Sequence, residues 1–290
     1  MQKILVTGAC GQLGTELRNL KGHNKHFIFT DVAASEGIEA LDICNPAEVS
    51  TFISGRGITS IINCAAYTNV DKAETDSELC HKVNVDGPCI LAKAAKASGA
   101  TLIQISSDYV FDGRRKRGVY RESSACNPIS VYGESKRRCE VKLRRIGCRG
   151  IIIRTAWLYS PYGNNFVNTM LRLGAEKDEV RVVCDQFGSP TYALDLARAI
   201  IMILPQIGGR KCEIFHFTDE GACSWAEFAK AIMDLSGSKC IVTPITTAEY
   251  ASHTARPAYS VLDKSLIRST FGVETPWWYF SLRAMLNRKN

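Results

Sequence analysis

Three glycines stand between an apolar run and a helical stretch near the start of the chain, with the spacing Gly8-x-x-Gly11-x-x-Gly14. Residues 3–7 predict a buried strand, and residues 15–20 predict a helix. Glycines at this spacing let the backbone turn tightly and approach a pyrophosphate, whose charge then meets the amino terminus of a helix. The pattern therefore predicts a strand–loop–helix unit that binds a dinucleotide.

An acidic residue follows the second predicted strand. Residues 26–30 read as a strand that ends in Asp31, 20 residues after Gly11. An acid at this position is expected to hydrogen-bond the adenosine ribose; a helix cap or a turn residue is the alternative. Because an acid favours NAD over NADP without excluding NADP, the expected cofactor is NADPH or NADH.

The strand and helix signals then repeat. Asp42 and Ile43 follow a short apolar segment and are expected at the adenine edge of the cofactor. A fourth strand, residues 58–64, delivers Ala65 and Ala66, whose small side chains would let a cofactor lie close to the backbone. One long helix is predicted over residues 76–98. It contains Asn84, which helix propensity does not favour; a packing or a bridging polar group is expected there, with no chemistry assigned.

Strands that alternate with helices at this spacing predict an α/β protein with a Rossmann-type, doubly wound parallel sheet. The predicted NAD(P)-binding domain covers residues 1–155. Residues 156–290 are predicted to form mainly a smaller, interleaved carboxy-terminal lobe that closes on substrate, with a segment of about 181–205 returning to the first domain. Further short elements are predicted at 213–217, 225–235, 263–271 and 277–287.

Composition limits the class of protein. The chain has 290 residues, 46% of them hydrophobic and 22% charged, which is ordinary for a globular protein. No apolar run reaches about 18 residues, so no membrane span is expected. The chain enters a strand at once and leaves no room for a signal peptide, so a cytoplasmic location is expected.

The net charge of +7 raises the question of a nucleic-acid partner. The basic run at residues 114–117 is only four residues long and follows a turn signal, which favours a solvated loop. No nucleic-acid partner is therefore expected. A moderately basic surface would also suit a substrate that carries a diphosphate.

The twelve cysteines include no Cys-x-x-Cys pair, and several lie within apolar runs. This pattern favours reduced thiols over zinc ligands or disulfides.

A hydroxyl, a phenol and an ammonium group follow one another in the order that a carbonyl reductase needs. Ser107 lies at the end of the predicted strand 101–105, and Tyr132 and Lys136 are four residues apart, so on a helix they share a face. The positive charge of Lys136 would favour the phenolate form of Tyr132. The alternative is an amphipathic helix with a surface lysine. The glycine loop at the start of the chain favours the catalytic interpretation instead.

Together these features resemble the extended short-chain dehydrogenase/reductase superfamily. Longer strings are similar to the dTDP-4-dehydrorhamnose reductase family, nearly from end to end: Gly11-Gln-Leu-Gly14, Ala65-Ala-Tyr-Thr-Asn-Val-Asp-Lys-Ala-Glu74, Ser106-Ser-Asp-Tyr-Val-Phe-Asp-Gly113, Val131-Tyr-Gly-Glu-Ser-Lys136, Arg154-Thr-Ala-Trp-Leu-Tyr159, Asp185-Gln-Phe-Gly-Ser-Pro-Thr191 and Arg256-Pro257.

The resemblance implies hydride transfer from NAD(P)H to the C4 carbonyl of dTDP-4-dehydro-L-rhamnose, giving dTDP-L-rhamnose. In that reaction Tyr132 gives its proton to the developing alkoxide and Ser107 hydrogen-bonds the same oxygen. Lys136 holds the nicotinamide ribose. Ser106 directly precedes Ser107 in the chain. Because adjacent strand residues point to opposite faces, only one of the two should reach the substrate, and Ser107 is the expected one.

The candidate residues fall into two further groups. Those expected to bind the cofactor are Gly8, Gly11, Gln12, Leu13, Gly14, Asp31, Asp42, Ile43, Ala65, Ala66, Tyr67, Tyr132 and Lys136. Those expected to bind the substrate are Thr68, Val70, Ser107, Tyr109, Trp157, Asn165, Gln186 and Arg256. Arg256 would suit a phosphate, and a place for Trp157 in the core is an equal alternative.

Some members of the family form dimers with Mg²⁺ bound by glutamates. Glu16 matches one such position, but Leu194 stands where another glutamate would be expected. The sequence therefore predicts no metal there and leaves a monomer or a homodimer open.

Two other functions stay open at this point. The regulatory beta subunit of methionine adenosyltransferase resembles the same family, including the string at 106–113, and binds a cofactor without catalysis. A reductase or epimerase of another dTDP- or CDP-hexose is the other alternative, because substrate choice depends on the shape of the pocket.

Overall fold

Strands and helices alternate regularly along the first half of the chain. The computed structural model describes residues 2–21, 24–115, 118–250 and 254–289, so Lys116 and Arg117 of the basic run lie outside the described residues. The elements of this half are β1 (Ile4–Thr7), α1 (Gln12–Lys21), β2 (Phe27–Asp31), β3 (Glu39–Ala40), α2 (Pro46–Arg56), β4 (Ser60–Asn63), α3 (Val70–Ala73), α4 (Ser77–His81), a π-helical turn (Lys82–Asp86), α5 (Gly87–Ser98), β5 (Thr101–Ser107), a 3₁₀ turn (Asp108–Val110), α6 (Val131–Ile146) and β6 (Gly150–Thr155).

The second half has shorter strands and less regular order. Its elements are β7 (Leu158–Tyr159), α7 (Phe166–Glu176), β8 (Glu179–Val183), β9 (Phe187–Gly188), β10 (Thr191–Tyr192), α8 (Ala193–Ile203), a 3₁₀ turn (Leu204–Gln206), β11 (Lys211–His216), β12 (Cys223–Ser224), α9 (Trp225–Ser236), β13 (Ile241–Ile245), α10 (Thr247–Tyr250), α11 (Ser265–Phe271) and α12 (Trp278–Lys289).

One seven-stranded sheet organises the molecule. Its strand order is β11-β6-β5-β4-β1-β2-β3, and every neighbouring pair is parallel. The strand order reverses between β1 and β4, which is where such sheets bind their ligands, at the carboxyl ends of the strands. The predicted α/β fold with a doubly wound parallel sheet is confirmed.

The sheet is buried on both faces because helices cover each side. In β1, Ile4 and Val6 pack with α1 and α8 on one face, whereas Leu5 packs with α2, α5 and α6 on the other. Continuous apolar runs are expected in strands that are buried in this way. The two cores hold the strand ends in fixed positions, which is what a site at that edge needs.

A smaller lobe has a core of its own. The apolar faces of α7, α9 and α12 pack around Phe228, and β8 pairs with β13 beside them. The segment predicted to return to the sheet was about 181–205, but β8 belongs to this lobe. Within the same segment α8 packs on α1, so this helix does return to the sheet. The chain returns a second time through β11, which becomes the edge strand next to β6. A domain boundary at residue 155 stays a prediction.

The long helix predicted over 76–98 is interrupted by the π-helical turn Lys82–Asp86. Pro88 lies at the start of α5 and has no N–H, so it cannot make the α-helical hydrogen bond to the carbonyl of residue 84. The Gly87 N–H bonds instead to the Lys82 carbonyl, five residues back. The prediction of an unbroken helix was therefore wrong, and the wider turn carries Asn84.

No helix in the described part of the chain is both long enough and apolar enough to cross a membrane. All twelve cysteines are free thiols.

Candidate active site

A cavity of about 300 Å³ opens at the carboxyl ends of the central strands, between the glycine loop and the smaller lobe. Its walls contain all three members of the predicted catalytic set, Ser107, Tyr132 and Lys136. Residues from the cofactor and substrate groups line it as well: Gln12, Leu13, Ala66, Thr68, Val70, Tyr109, Trp157 and Asn165. The fold thus brings together groups that are up to 153 positions apart in the sequence.

Ser107 ends β5 and caps the 3₁₀ turn that follows. Its Oγ accepts the Tyr109 backbone N–H at 3.2 Å and donates to Asp108 Oδ1 at 3.0 Å. The preceding Ser106 donates instead to the Glu140 carboxylate at 2.7 Å. That carboxylate is already bound to the guanidinium of Arg154. Ser106 is therefore committed to a buried ion pair, which favours Ser107 as the hydroxyl that meets a substrate.

Tyr132 and Lys136 lie on the first two turns of α6. Ser130 caps this helix by accepting the Gly133 N–H, and so fixes where the helix starts. Lys136 is buried, and its Nζ donates to the Ile105 carbonyl at 3.1 Å and lies 5.9 Å from the centre of the Tyr132 ring. The Tyr109 ring meets the Tyr132 ring edge-on, with 5.5 Å between centres.

Burial dominates the ionisation of both groups. It raises the pKa of Tyr132, although the Ser107 hydroxyl opposes that rise. Burial also lowers the pKa of Lys136. The net pKa shift of Tyr132 is therefore opposite to the one expected from the charge of Lys136 alone. In this state the side chain is a firmly protonated phenol.

Asn84 is the bridging polar group that the sequence left as one of two alternatives, and it supports the site from outside the cavity. Its Oδ1 accepts the Tyr67 N–H at 2.9 Å, and its Nδ2 donates to the Tyr67 carbonyl and to Ser135 Oγ, both at 3.0 Å. Ser135 donates in turn to the Tyr132 carbonyl. Asn84 thus ties the loop after β4 to the helix that carries Tyr132. The sequence signal for this role was a polar residue inside a predicted helix, four positions before Pro88.

The glycine loop is packed too closely to admit larger residues. Gly8 has φ 67°, and a Cβ there would lie 2.5 Å from the Ala65 nitrogen. A Cβ at Gly14 would lie 2.2 Å from the Gly8 carbonyl oxygen. Because α1 begins at Gln12, inside this loop, its free N–H groups face the same space. These residues fit the diphosphate of a dinucleotide.

The three adenosine-side candidates do not line the cavity, and each has contacts of its own. Asp31 accepts backbone N–H groups from Cys10 at 2.9 Å and from Val32 at 2.8 Å. Asp42 accepts the Cys44 N–H at 2.8 Å. Ile43 is buried in the core beside α2 and α5. Their roles toward a cofactor stay predictions.

The substrate-side candidates occupy two neighbouring cavities. A second cavity, of about 240 Å³, is lined by Gln186 and Arg256 together with Trp225 and Arg181. Trp157 borders the first cavity and stacks on Trp225 with 3.5 Å between ring centres and 9° between planes.

Trp157 has φ 48°, and a Cβ at Gly188 would lie 2.6 Å from its ring. The ring therefore forms a fixed wall of the first cavity, and it also packs against the core of the smaller lobe.

Three of the substrate-side candidates make hydrogen bonds to other side chains of the protein. Asn165 caps α7 and donates to Gln12 Oε1 at 2.9 Å. Gln186 donates to Thr247 Oγ1 at 3.1 Å. Arg256 donates to both carboxylate oxygens of Asp71, each at 2.8 Å. Arg256 therefore connects the smaller lobe to α3 across the mouth of the site.

Glu16 is fully buried and faces a cation from the protein itself. Arg288 on α12 donates to both of its carboxylate oxygens, at 3.1 and 3.3 Å, and to the Tyr192 hydroxyl at 2.7 Å. Leu194 lies in the adjacent core. Over residues 2–21, 24–115, 118–250 and 254–289, no group of three or more His, Cys, Asp or Glu side chains is arranged to hold a metal ion.

Comparisons with known proteins identify the family of the chain. The model of the family "RmlD substrate binding domain" matches residues 1–290. A dTDP-4-dehydrorhamnose reductase from Aggregatibacter actinomycetemcomitans is 40% identical, with 98% of each chain covered. The spore coat polysaccharide biosynthesis protein SpsK of Bacillus subtilis is 39% identical, over 100% of this chain and 99% of that protein.

Two crystal structures are similar over almost their whole length. One is a dTDP-4-dehydrorhamnose reductase from Clostridium acetobutylicum, with 41% identity, a TM-score of 0.92 and 99% of each chain covered. The other is the Bacillus anthracis reductase in complex with NADP, with 36% identity, a TM-score of 0.91 and coverage of 99% and 100%. This chain belongs to the RmlD substrate binding domain family.

Proposed function

We propose that this chain, an NAD(P)H-dependent oxidoreductase, reduces the C4 keto group of dTDP-4-dehydro-L-rhamnose to give dTDP-L-rhamnose, with Tyr132 as the proton donor. The observation that carries the proposal is the convergence of Ser107, Tyr132 and Lys136 on one cavity beside a glycine loop that fits a dinucleotide. Relatives at about 40% identity bear the name of this activity.

The protein's own groups supply alignment and a proton. A bound NAD(P)H would supply the hydride. The raised pKa of Tyr132, caused by burial, keeps its phenol protonated at neutral pH, so it has a proton to give as negative charge develops on the keto oxygen. Ser107 would hydrogen-bond the same oxygen. Lys136 would hold the nicotinamide ribose and stabilise the phenolate left on Tyr132.

Two cavities that meet at the stacked indoles suit a substrate with two parts. The sugar would lie beside Trp157, Tyr109 and the catalytic set. The nucleotide would extend toward Trp225, where Arg181 and Arg256 line the second cavity. Guanidinium groups suit a diphosphate.

The decisive experiment measures consumption of NADH and of NADPH in the presence of dTDP-4-dehydro-L-rhamnose. Replacing Tyr132 by Phe removes the acid and is expected to lower kcat by about 10²- to 10⁴-fold. Tyr279→Phe is a matched control, because Tyr279 lies on α12 away from the cavity, and it is expected to act like the wild type.

No turnover by the wild type, or an unchanged rate in Tyr132→Phe, would contradict the proposal. A protein that binds NAD(P)H tightly yet reduces none of a panel of keto-sugar nucleotides would point to the regulatory alternative. Turnover of a different dTDP- or CDP-hexose in that panel would keep the oxidoreductase class and replace the substrate. Whether the enzyme acts as a monomer or a homodimer stays a prediction.

A further inference from the structure

The hydroxyl of Ser107 carries one proton, and the structure shows where that proton goes. Oγ accepts the Tyr109 N–H at 3.2 Å. Because an ionised carboxylate can only accept, Oγ is the donor in its 3.0 Å contact with Asp108 Oδ1. A hydroxyl has a single donor. While it donates to Asp108, Ser107 has no proton to offer a substrate oxygen. The proposed role of Ser107 therefore requires a change at Asp108.

The surroundings of Asp108 make its neutral form easier to reach than that of an exposed aspartate. The side chain is 1% exposed, and its Oδ2 has no hydrogen-bond partner among the residues that the structure describes. A buried carboxylate with an unmatched oxygen is costly, and protonation relieves that cost. A protonated Asp108 can donate to Ser107 Oγ, which frees the Ser107 proton.

We propose that Asp108 is a positioning residue that determines whether the hydroxyl proton of Ser107 points to the substrate oxygen or away from it. In the ionised state of Asp108, Ser107 donates to the carboxylate. In the neutral state, Asp108 donates to Ser107, and Ser107 donates to the keto oxygen as charge develops on it. The inference rests on the proposed function, because it assumes that Ser107 meets that oxygen.

The charges around Asp108 are few. From α6 it faces Tyr132, with Lys136 one turn further on, and from its own turn it faces Tyr109. From the segment after residue 254 it faces the neutral Ser260, while the Arg256 guanidinium acts on Tyr109 and is paired with Asp71. Burial raises the pKa of Asp108 to about 6, and the nearby Ser260 and Ser107 hydroxyls, together with the backbone N–H groups of Asp108 and Tyr109, limit the rise.

The test compares pH profiles. kcat/KM is measured for the wild type and for Asp108→Asn from about pH 5 to about pH 8. The amide of Asn can donate to Ser107 at every pH, so the ratio of variant to wild type is expected to rise about tenfold or more across this range. The ratio cancels the titration of every other group. Asp112→Asn, a neighbouring carboxylate outside the cavity, is the matched control and is expected to give a constant ratio.

The same comparison made in the Ser107→Ala variant separates this inference from the proposed function. In Ser107→Ala, adding Asp108→Asn is expected to change kcat/KM by the same factor at every pH, because Asp108 acts through the missing hydroxyl. If Ser107→Ala is impaired but the Asp108→Asn ratio stays flat, the positioning role of Asp108 is wrong and the reductase proposal stands. If Ser107→Ala is as active as the wild type, the Ser107 hydroxyl has no role for Asp108 to position, so the inference fails while the reductase proposal stands on turnover and on Tyr132.

Infrared difference spectroscopy on the wild type provides a readout that needs no folded variant. A protonated carboxyl has its own C=O stretching band, and the inference expects such a band to shift when the keto-sugar nucleotide binds. The absence of any shift would overturn the positioning role, even if Asp108→Asn did not fold.

Discussion

At the scale of single residues, Asp31 shows how one carboxylate can serve two purposes. Both of its oxygens accept backbone N–H groups, one from Cys10 in the glycine loop and one from Val32. The residue therefore holds the end of β2 against the loop, as the turn alternative supposed, and still places a negative charge there. A second lone pair on each oxygen leaves room for a ribose hydroxyl.

This charge leads to a prediction about the cofactor. Asp31→Asn keeps the shape but removes the charge that would oppose a 2′-phosphate. The ratio of kcat/KM for NADPH to that for NADH is expected to rise about tenfold, as for the loss of one partly screened charge. Steady-state kinetics with both cofactors measure it, with Glu36→Gln as the control on the next loop. An unchanged ratio would show that Asp31 serves the loop only.

Asp108 also gives a prediction about stability. Its pKa is raised from 3.8 to about 6 by burial, so the folded state binds a proton more tightly than the unfolded state does. Its favourable contribution is present below about pH 4 and is lost as the pH rises to about 6. Asp108→Asn is therefore expected to gain up to about 3 kcal/mol in free energy of unfolding, relative to the wild type, between these pH values. Urea unfolding at both pH values measures it, and an equal difference at both would contradict it.

At the scale of elements, the π-helical turn Lys82–Asp86 carries a side chain that supports the site. Three hydrogen bonds of Asn84 join the loop after β4 to α6. The apolar periodicity of 76–98 correctly predicts helix on both sides of the turn. It could not predict the hydrogen bonds of the Asn84 side chain, because their partners, Tyr67 and Ser135, are 17 and 51 positions away.

Asn84→Ala tests this support. The loss of buried hydrogen bonds is expected to cost about 1–3 kcal/mol of unfolding free energy and to lower kcat, because Tyr132 and the loop are no longer held together. Asn45→Ala, which removes the cap of α2, is expected to cost about 1 kcal/mol and to leave kcat unchanged. Chemical unfolding and steady-state kinetics on both variants measure this difference. Equal effects on kcat would mean that Asn84 acts on stability alone.

At the scale of the whole molecule, contacts between distant parts of the chain join the sheet to the smaller lobe. Arg256 and Asp71 are 185 positions apart, and Arg288 and Glu16 are 272 positions apart. The glycine loop and the Tyr132 helix are local patterns, so the sequence alone predicted them. Local patterns do not choose strand partners, and residues 213–217 therefore read as an unplaced short element although β11 completes the large sheet beside β6.

Arg288→Ala is expected to weaken the whole structure. It leaves the Glu16 carboxylate buried without a cation and frees the last helix from the first, at a cost of about 2 kcal/mol or more in unfolding free energy. Thermal unfolding measures it. Arg283→Ala, which removes a cation from the exposed side of the same helix, is the control and is expected to cost less than about 1 kcal/mol. An equal loss of stability in both variants would contradict a special role for Arg288.

The stacked indoles of Trp157 and Trp225 have a consequence for anyone who studies this protein by spectroscopy. With 3.5 Å between their centres and 9° between their planes, the two rings are in direct contact, so we expect their excited states to interact. One ring borders the cavity of the catalytic set and the other borders the neighbouring cavity. We therefore expect a molecule that enters either cavity to change the tryptophan fluorescence, and a fluorescence titration would measure occupancy without an added label.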